Sequence, residues 1–291
     1  ACDYPESLFA ERIWNPRRPR PDEAELAEAI ALIKAAKKPF VVAGGGVLYS
    51  EAETQLAAFC EAHGIPAGET QAAKTALPQA HPPKHAAIGV TGTGAANVMA
   101  QEADLVLAIG TRLQDFTTGS RSLFANPDCQ IVGLNLQAFD AAKHRAQPLV
   151  CDARVGLDEL TSGLAGHRAP AGWTTQAKAG RSRWFETAVR YTAPGNQTLP
   201  SDAQVIGAVQ RWSAPSDVVL CAAGGLPGEL HKLWQAGAAG GYHMEYGYSC
   251  MGYEIAGGLG VKMADPSREV VVMVGDGSYL MMNSEIATSV M

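Results

Sequence analysis

Apolar residues along the chain follow two patterns. After Asp22, Leu26, Ile30 and Ile33 recur at helical spacing and form one apolar face. Asp22 is placed to cap this helix, Glu25 sits three residues on as in a capping box, and Lys37-Lys38-Pro39 ends it. Pro39-Phe40-Val41-Val42-Ala43 then reads as a short buried strand, followed by Gly44-Gly45-Gly46 and a helix over about 51–63. Gly64-Ile65-Pro66 turns the chain into another extended stretch. Asp104-Leu105-Val106-Leu107-Ala108-Ile109-Gly110 and Gln130-Ile131-Val132-Gly133-Leu134-Asn135 are continuous apolar runs ended by Gly or a polar residue. Such runs, alternating with helices, predict a parallel sheet covered on both faces within a first domain at 22–165.

Residues 166–196 lose this pattern. Ala, Gly, Pro, Arg and Trp dominate, a short helix over 183–191 is the one regular element expected, and the stretch reads as an interdomain linker. A second α/β segment fills 197–291. Ser201-Asp202 can cap a helix through Ile206 and Val209, and Asp217-Val218-Val219-Leu220-Cys221 is a strand. Gly224-Gly225-Leu226-Pro227-Gly228 is a turn, 252–263 a helix of small residues, and Glu269-Val270-Val271-Val272-Met273-Val274 a second strand. A last helix is expected from near Leu280. The fold class is α/β: two doubly wound, Rossmann-like parallel-sheet domains after a Pro- and Arg-rich connector at 1–21. Two strands and a helical pattern broken off at Met291 predict a truncated second domain; Ala1 in place of an initiator Met predicts a start inside a longer chain.

The bulk properties exclude several function classes. The 291 residues are 47% hydrophobic, which supports one large core or two ordinary ones. A net charge of -6 argues against a nucleic-acid partner. The densest basic run, Arg17-Arg18-Pro19-Arg20, is broken by proline and reads as a solvated connector. No apolar stretch is long enough to span a bilayer, and the first residues do not have the basic-then-apolar form of a leader. The 6 cysteines (Cys2, Cys60, Cys129, Cys151, Cys221, Cys250) form no C-x-x-C pair, so free thiols in a reducing cytoplasm are expected. The histidines, His63, His81, His85, His144, His167, His231 and His243, show no metal-ligand spacing.

Chemistry concentrates near the end of the chain. The 269–274 strand delivers Gly275-Asp276-Gly277-Ser278 at its carboxyl end, where open parallel sheets place ligands. Gly275 and Gly277 permit close backbone approach, and the next helix offers free N–H groups to a phosphate. A carboxylate there would repel phosphate unless a cation lay between, and Mg²⁺ is the hard cation that accepts one carboxylate plus phosphate oxygens. A β-turn with Asp276 capping the helix is the structural alternative. Just upstream, the segment from Glu245 through Tyr246, Ser249, Cys250 and Met251 to Gly260 is too glycine-rich for plain core. Its Gly252, Gly257, Gly258 and Gly260 suit a helix packed against a bound planar group or against neighbouring backbone. His243 and Glu245 are weak candidates for substrate contact. Gly44-Gly45-Gly46 lacks G-x-G-x-x-G and is explained by a tight strand-to-helix turn, although a flavin- or nucleotide-binding module could be built on it. Gly89-Val90-Thr91-Gly92-Thr93-Gly94 can start a helix.

Together these two C-terminal constellations resemble the diphosphate-binding domain of thiamine-diphosphate enzymes, whose signature is Gly-Asp-Gly followed further on by Asn. Gly275-Asp276-Gly277 matches, and the Asn would lie beyond Met291. Residues 22–165, including the 103–113 stretch, resemble the family's central domain. Residues 242–254, with Glu69-Thr70-Gln71 and 223–228 in support, are similar to the branch that hydrolytically opens a cyclic polyhydroxy diketone in inositol catabolism, releasing a deoxy-glucuronic acid. The resemblance implies thiamine diphosphate and Mg²⁺ as cofactors. It implies Asp276 as metal ligand, and Gly224, Gly225, Leu226, Gly275, Gly277 and Ser278 near the diphosphate. Ser249, Cys250 and Met251 would hold the aminopyrimidine, with Met251 propping the bent cofactor. The activating Glu would come from an N-terminal domain outside this chain, supplied across a homodimer or homotetramer, so that the chain alone would be inactive. A carboligase similar to acetolactate synthase is the alternative within the family; a non-catalytic scaffold is the alternative outside it.

Overall fold

The computed structural model describes residues 3–77, 84–245 and 247–291; Cys2, His81 and Tyr246 lie outside the described residues. The first sheet contains β1 (Pro39–Ala43), β2 (Ala67–Glu69), β3 (Lys84–Ala87), β4 (Leu105–Ile109), β5 (Gln130–Asn135) and β6 (Gln147–Val150). Its order is β3-β2-β1-β4-β5-β6 with every pairing parallel, the doubly wound arrangement expected. Alternate residues of each strand enter different cores. Val41, Ala43, Leu105, Leu107 and Ile109 face one side and pack with Ile33, Leu56, Phe59, Leu157 and Leu160. Phe40, Val42, Val106 and Ala108 face the other and pack with Met99, Ala100 and Trp173. Burial on both faces is why these strands read as unbroken apolar runs.

Helices α1 (Glu23–Ala35), α2 (Gly46–Tyr49), α3 (Glu53–His63), α4 (Gly94–Glu102), α5 (Asp115–Thr118), α6 (Ala138–Ala141) and α7 (Ala153–Gly163) accompany this sheet. Asp22 caps α1 by accepting from the Ala24 and Glu25 amides. Glu25 does not close the expected capping box: its carboxylate accepts from the Val150 amide at 2.9 Å and ties α1 to β6. The helix expected over about 51–63 is α3; Glu51, at φ 52°, separates it from the short α2, which was not expected. Thr93 caps α4 through the Ala96 amide, so the Gly-rich 89–94 stretch does lead into a helix.

The 166–196 stretch differs most from expectation. It carries α8 (Ala171–Thr192), a single 22-residue helix in place of a short one over 183–191. Trp173 near its start is buried and donates its indole N–H to the Pro39 carbonyl at 2.9 Å. Ala188 near its end lies in the core of the second sheet. One helix therefore serves both units. Small residues and scattered arginines hid its amphipathic pattern.

The second unit runs α9 (Asp202–Trp212), β7 (Val218–Cys221), α10 (Leu226–Leu233), β8 (Tyr242–Met244), α11 (Tyr253–Ala264), β9 (Val270–Val272), α12 (Asp276–Met282) and α13 (Glu285–Val290). Ser201 caps α9 in a full capping box with Gln204. The sheet is parallel in the order β8-β7-β9. Its third strand, β8, was not expected, because three residues among glycines and polar groups leave no period to read. Val219 and Cys221 pack with Leu230 and Leu233 on one face. On the other, α11 lies against β9 so closely that a Cβ on Gly258 would fall 2.4 Å from Val272 Cγ2. Neighbouring protein is thus what this helix glycine meets. No described helix is long and apolar enough to cross a membrane. The five described cysteines are free thiols.

Candidate cofactor site

Strands β7 and β9 are neighbours, so their carboxyl ends bring two turns together. The β7 turn holds Gly224 and Gly225; the β9 turn holds Gly275 and Asp276. Helices α10 and α11 cover opposite faces of the sheet, which opens a crevice between the turns. The segment 247–252, ahead of α11, forms the third wall.

Backbone demands shape this third wall. Gly252 sits at φ 92°, and a Cβ there would fall 2.5 Å from Met282 Cγ, so only glycine fits. Ser249 takes φ 52°. Two carboxylates hold the turn. Glu245 accepts from the Tyr248 amide at 3.1 Å and the Cys250 amide at 2.8 Å. The Cys250 amide above all holds the Glu245 carboxyl below the usual carboxylate range. Glu254, fully buried, accepts from the Gly252 amide at 2.9 Å and the Ala223 amide at 3.2 Å. Glu245 is thus occupied with its own loop. His243, with its pKa lowered by burial, pairs with the Tyr253 hydroxyl at 2.7 Å.

The expected site residues collect here. Asp276 begins α12, is exposed, and accepts from the Gly277 amide at 2.8 Å through one oxygen; the other takes no hydrogen bond among the described residues. Met251 is 45% exposed, and a Cβ on Gly277 would lie 3.0 Å from its Cε, so these two walls touch. Ser249 and Cys250 are exposed. Ser278 is buried, and Leu226 packs against the core, so both can present only backbone to the crevice. A Cβ on Gly224, Gly225 or Gly275 would meet nothing within 4 Å, so the backbone there is bare to the crevice.

The crevice adjoins a cavity of about 310 Å³ between the two units, lined by Gln71, Thr91, Gly224, Gly225, Met244 and Ser249 among others. Gln71 and Met244 also line a neighbouring cavity of about 460 Å³ with Tyr49, His243, Glu245 and Tyr253. The Gln71 amide nitrogen donates to Thr91 Oγ1 at 3.1 Å, and its oxygen accepts from the Tyr242 hydroxyl at 2.7 Å. Thr91 Oγ1 pairs with His231 Nδ1 at 3.0 Å, and the Lys74 ammonium donates to the His231 carbonyl at 2.7 Å. By contrast the other glycine cluster is closed. A Cβ on Gly44 would lie 2.3 Å from the Gly110 carbonyl oxygen, and one on Gly46 would lie 2.7 Å from Gly110 Cα. Those glycines serve the meeting of β1 and β4.

Comparison with protein-family models matches residues 26–160 to "Thiamine pyrophosphate enzyme, central domain" and residues 222–291 to "Thiamine pyrophosphate enzyme, C-terminal TPP binding domain". The chain belongs to the thiamine pyrophosphate enzyme family. Its sequence is 41% identical over 313 residues to 3D-(3,5/4)-trihydroxycyclohexane-1,2-dione hydrolase 2 of Bacillus cereus. It is 39% identical over 312 residues to 3D-(3,5/4)-trihydroxycyclohexane-1,2-dione hydrolase of Clostridium perfringens. Each match covers 99% of this chain and 49% of the relative. The chain therefore spans about half the length of the curated relatives it matches.

The crevice fits the family's cofactor. A diphosphate needs close backbone approach without side-chain obstruction, which the bare glycines supply. A magnesium diphosphate needs a carboxylate with a free oxygen beside that backbone, which Asp276 supplies. Sequence reasoning missed Glu254 and Thr91. The signal for Glu254 was a lone carboxylate among Ile, Ala and Gly at a helix start.

Proposed function

We propose that the protein acts in the thiamine-diphosphate- and Mg²⁺-dependent hydrolytic cleavage of a carbon–carbon bond, opening the ring of 3D-trihydroxycyclohexane-1,2-dione to give 5-deoxy-glucuronic acid in inositol catabolism, in the cytoplasm. The observation that carries this reading is an open glycine-lined crevice with Asp276 at its edge, in a chain whose relatives across 99% of its length bear that hydrolase's name. In this reading Asp276 would be a ligand of Mg²⁺, a hard cation that would neutralise diphosphate charge there. The backbone at Gly224, Gly225, Leu226, Gly275, Gly277 and Ser278 cradles the diphosphate. The backbone of Ser249 and Cys250 holds the aminopyrimidine, and Met251 props the bend. Bound thiamine diphosphate supplies the nucleophilic carbon and the electron sink for cleavage. The chain's own work is to bind and to orient. The carboxylate that activates the cofactor belongs, in this reading, to the half of the relatives' length that the chain does not span, contributed across a homodimer or homotetramer.

The test assays ring opening of the trihydroxycyclohexanedione by the protein together with that other half, with and without thiamine diphosphate and Mg²⁺, beside Asp276→Ala. Activity that requires both cofactors and falls by about 10²-fold or more in Asp276→Ala is expected. Cofactor binding that depends on Asp276 without any ring opening would keep the family and discard the substrate.

A further inference from the structure

We infer that Glu254 is a positioning residue for the cofactor: its buried carboxylate clamps the β7 turn to the Met251–Gly252 turn and so sets the width of the crevice. This rests on the reading of the crevice as the thiamine diphosphate site.

Glu254 is fully buried on the first turn of α11, where an unpaired charge is costly. It is satisfied by two backbone amides from different walls. Oε2 accepts from Gly252 N at 2.9 Å, within its own segment; Oε1 accepts from Ala223 N at 3.2 Å, 31 residues away at the end of β7. Ala223 directly precedes Gly224 and Gly225, and Gly252 directly follows Met251. One side chain thus fixes the spacing between the backbone assigned to the diphosphate and the side chain assigned to the bend. The demand is for a carboxylate: both partners are N–H donors, and a carboxamide has one acceptor oxygen and places an NH₂ against the second. Glu245 holds the 247–252 turn only to itself, whereas Glu254 ties it to the β7 turn. A Cβ on Gly224 or Gly225 would meet nothing within 4 Å, and Ser249 is exposed at positive φ. Loops bare enough to admit a ligand need an outside support to stay in a binding-competent shape.

The test compares wild type, Glu254→Gln and a matched control. Asp104 also accepts two backbone amides, Lys37 N and Lys38 N, both at 2.8 Å, but on the first sheet away from the crevice. Asp104→Asn therefore removes a two-amide clamp, less buried than that of Glu254, with no path to the cofactor. Two readouts are taken with the other half of the relatives' length present, well below the melting temperature of each protein: the Kd for thiamine diphosphate with Mg²⁺ by titration calorimetry, and amide hydrogen exchange without ligand. Glu254→Gln is expected to weaken the Kd at least tenfold and to speed exchange at Ala223 and Gly252. Asp104→Asn is expected to lower the melting temperature and leave the Kd within twofold. Faster exchange with an unchanged Kd in Glu254→Gln would reduce the clamp to a fold contact and overturn the inference. A wild-type protein that binds no cofactor would overturn both the inference and the reading it rests on.

Discussion

At the scale of single residues, the buried polar groups between the two units carry the sharpest consequences. His231 is fully buried, and desolvation, aided by the nearby Lys74 ammonium, pushes its pKa down to about 3 from an ordinary 6.5. Between those values the unfolded chain binds a proton that the folded chain refuses. Stability from this group is fully present above pH 6.5 and is lost as pH falls below it, by roughly 1.4 kcal/mol per pH unit. Urea midpoints measured from pH 7 to 5 should therefore fall more steeply for wild type than for His231→Gln, and equal slopes would refute the assignment. Three cysteines behave as core: burial first of all raises the thiols of Cys60, Cys151 and Cys221 to about 12, so none of these three is a nucleophile at neutral pH. The glycines divide by surroundings. Gly44 and Gly258 meet neighbouring protein, whereas Gly224, Gly225 and Gly275 face open space. Sequence alone ranks these clusters only by motif, since every glycine looks alike until its neighbours are known.

At the scale of elements, α8 is a structural member and not a tether. Its Trp173 fills the second core of the first sheet and bonds to the Pro39 carbonyl at the start of β1. Trp173→Ala should cost about 3–5 kcal/mol, through lost burial, a cavity and an orphaned carbonyl. A change below about 1 kcal/mol in denaturant unfolding would mean that the helix merely connects. Long apolar strands were legible because burial on both faces leaves a continuous run, as at Leu105–Ile109. Short strand β8 and helix α8 were not legible, because three residues show no period and a helix shared between two cores shows a broken one.

At the scale of the whole molecule, the two sheets meet through a polar seam: Lys74 to the His231 carbonyl, Thr91 to the His231 ring, Tyr242 to Gln71, and Gly240 to Thr75. Lys74 and Tyr242 are also stacked, with the ammonium 5.5 Å from the ring centre. An interface of this kind couples two domains only while its buried donors and acceptors are matched. Lys74→Ala should separate a single calorimetric unfolding transition into two. A single transition at an unchanged temperature would show that the seam carries no coupling.

The chain's own order of residues was enough for the α/β class, the doubly wound first sheet, the N-caps at Asp22 and Ser201, and the strand that delivers Asp276. All of these depend on local period and capping, which act between near neighbours in sequence. Tertiary structure alone decided the rest. It joined the Ala223 and Gly252 amides on Glu254, closed the Gly44 cluster against Gly110, left the Gly224–Gly225 backbone bare, and formed the seam around Lys74 and His231. Each of those features pairs groups far apart along the chain, and whether a polar group is satisfied or a glycine is exposed depends on what the fold brings beside it.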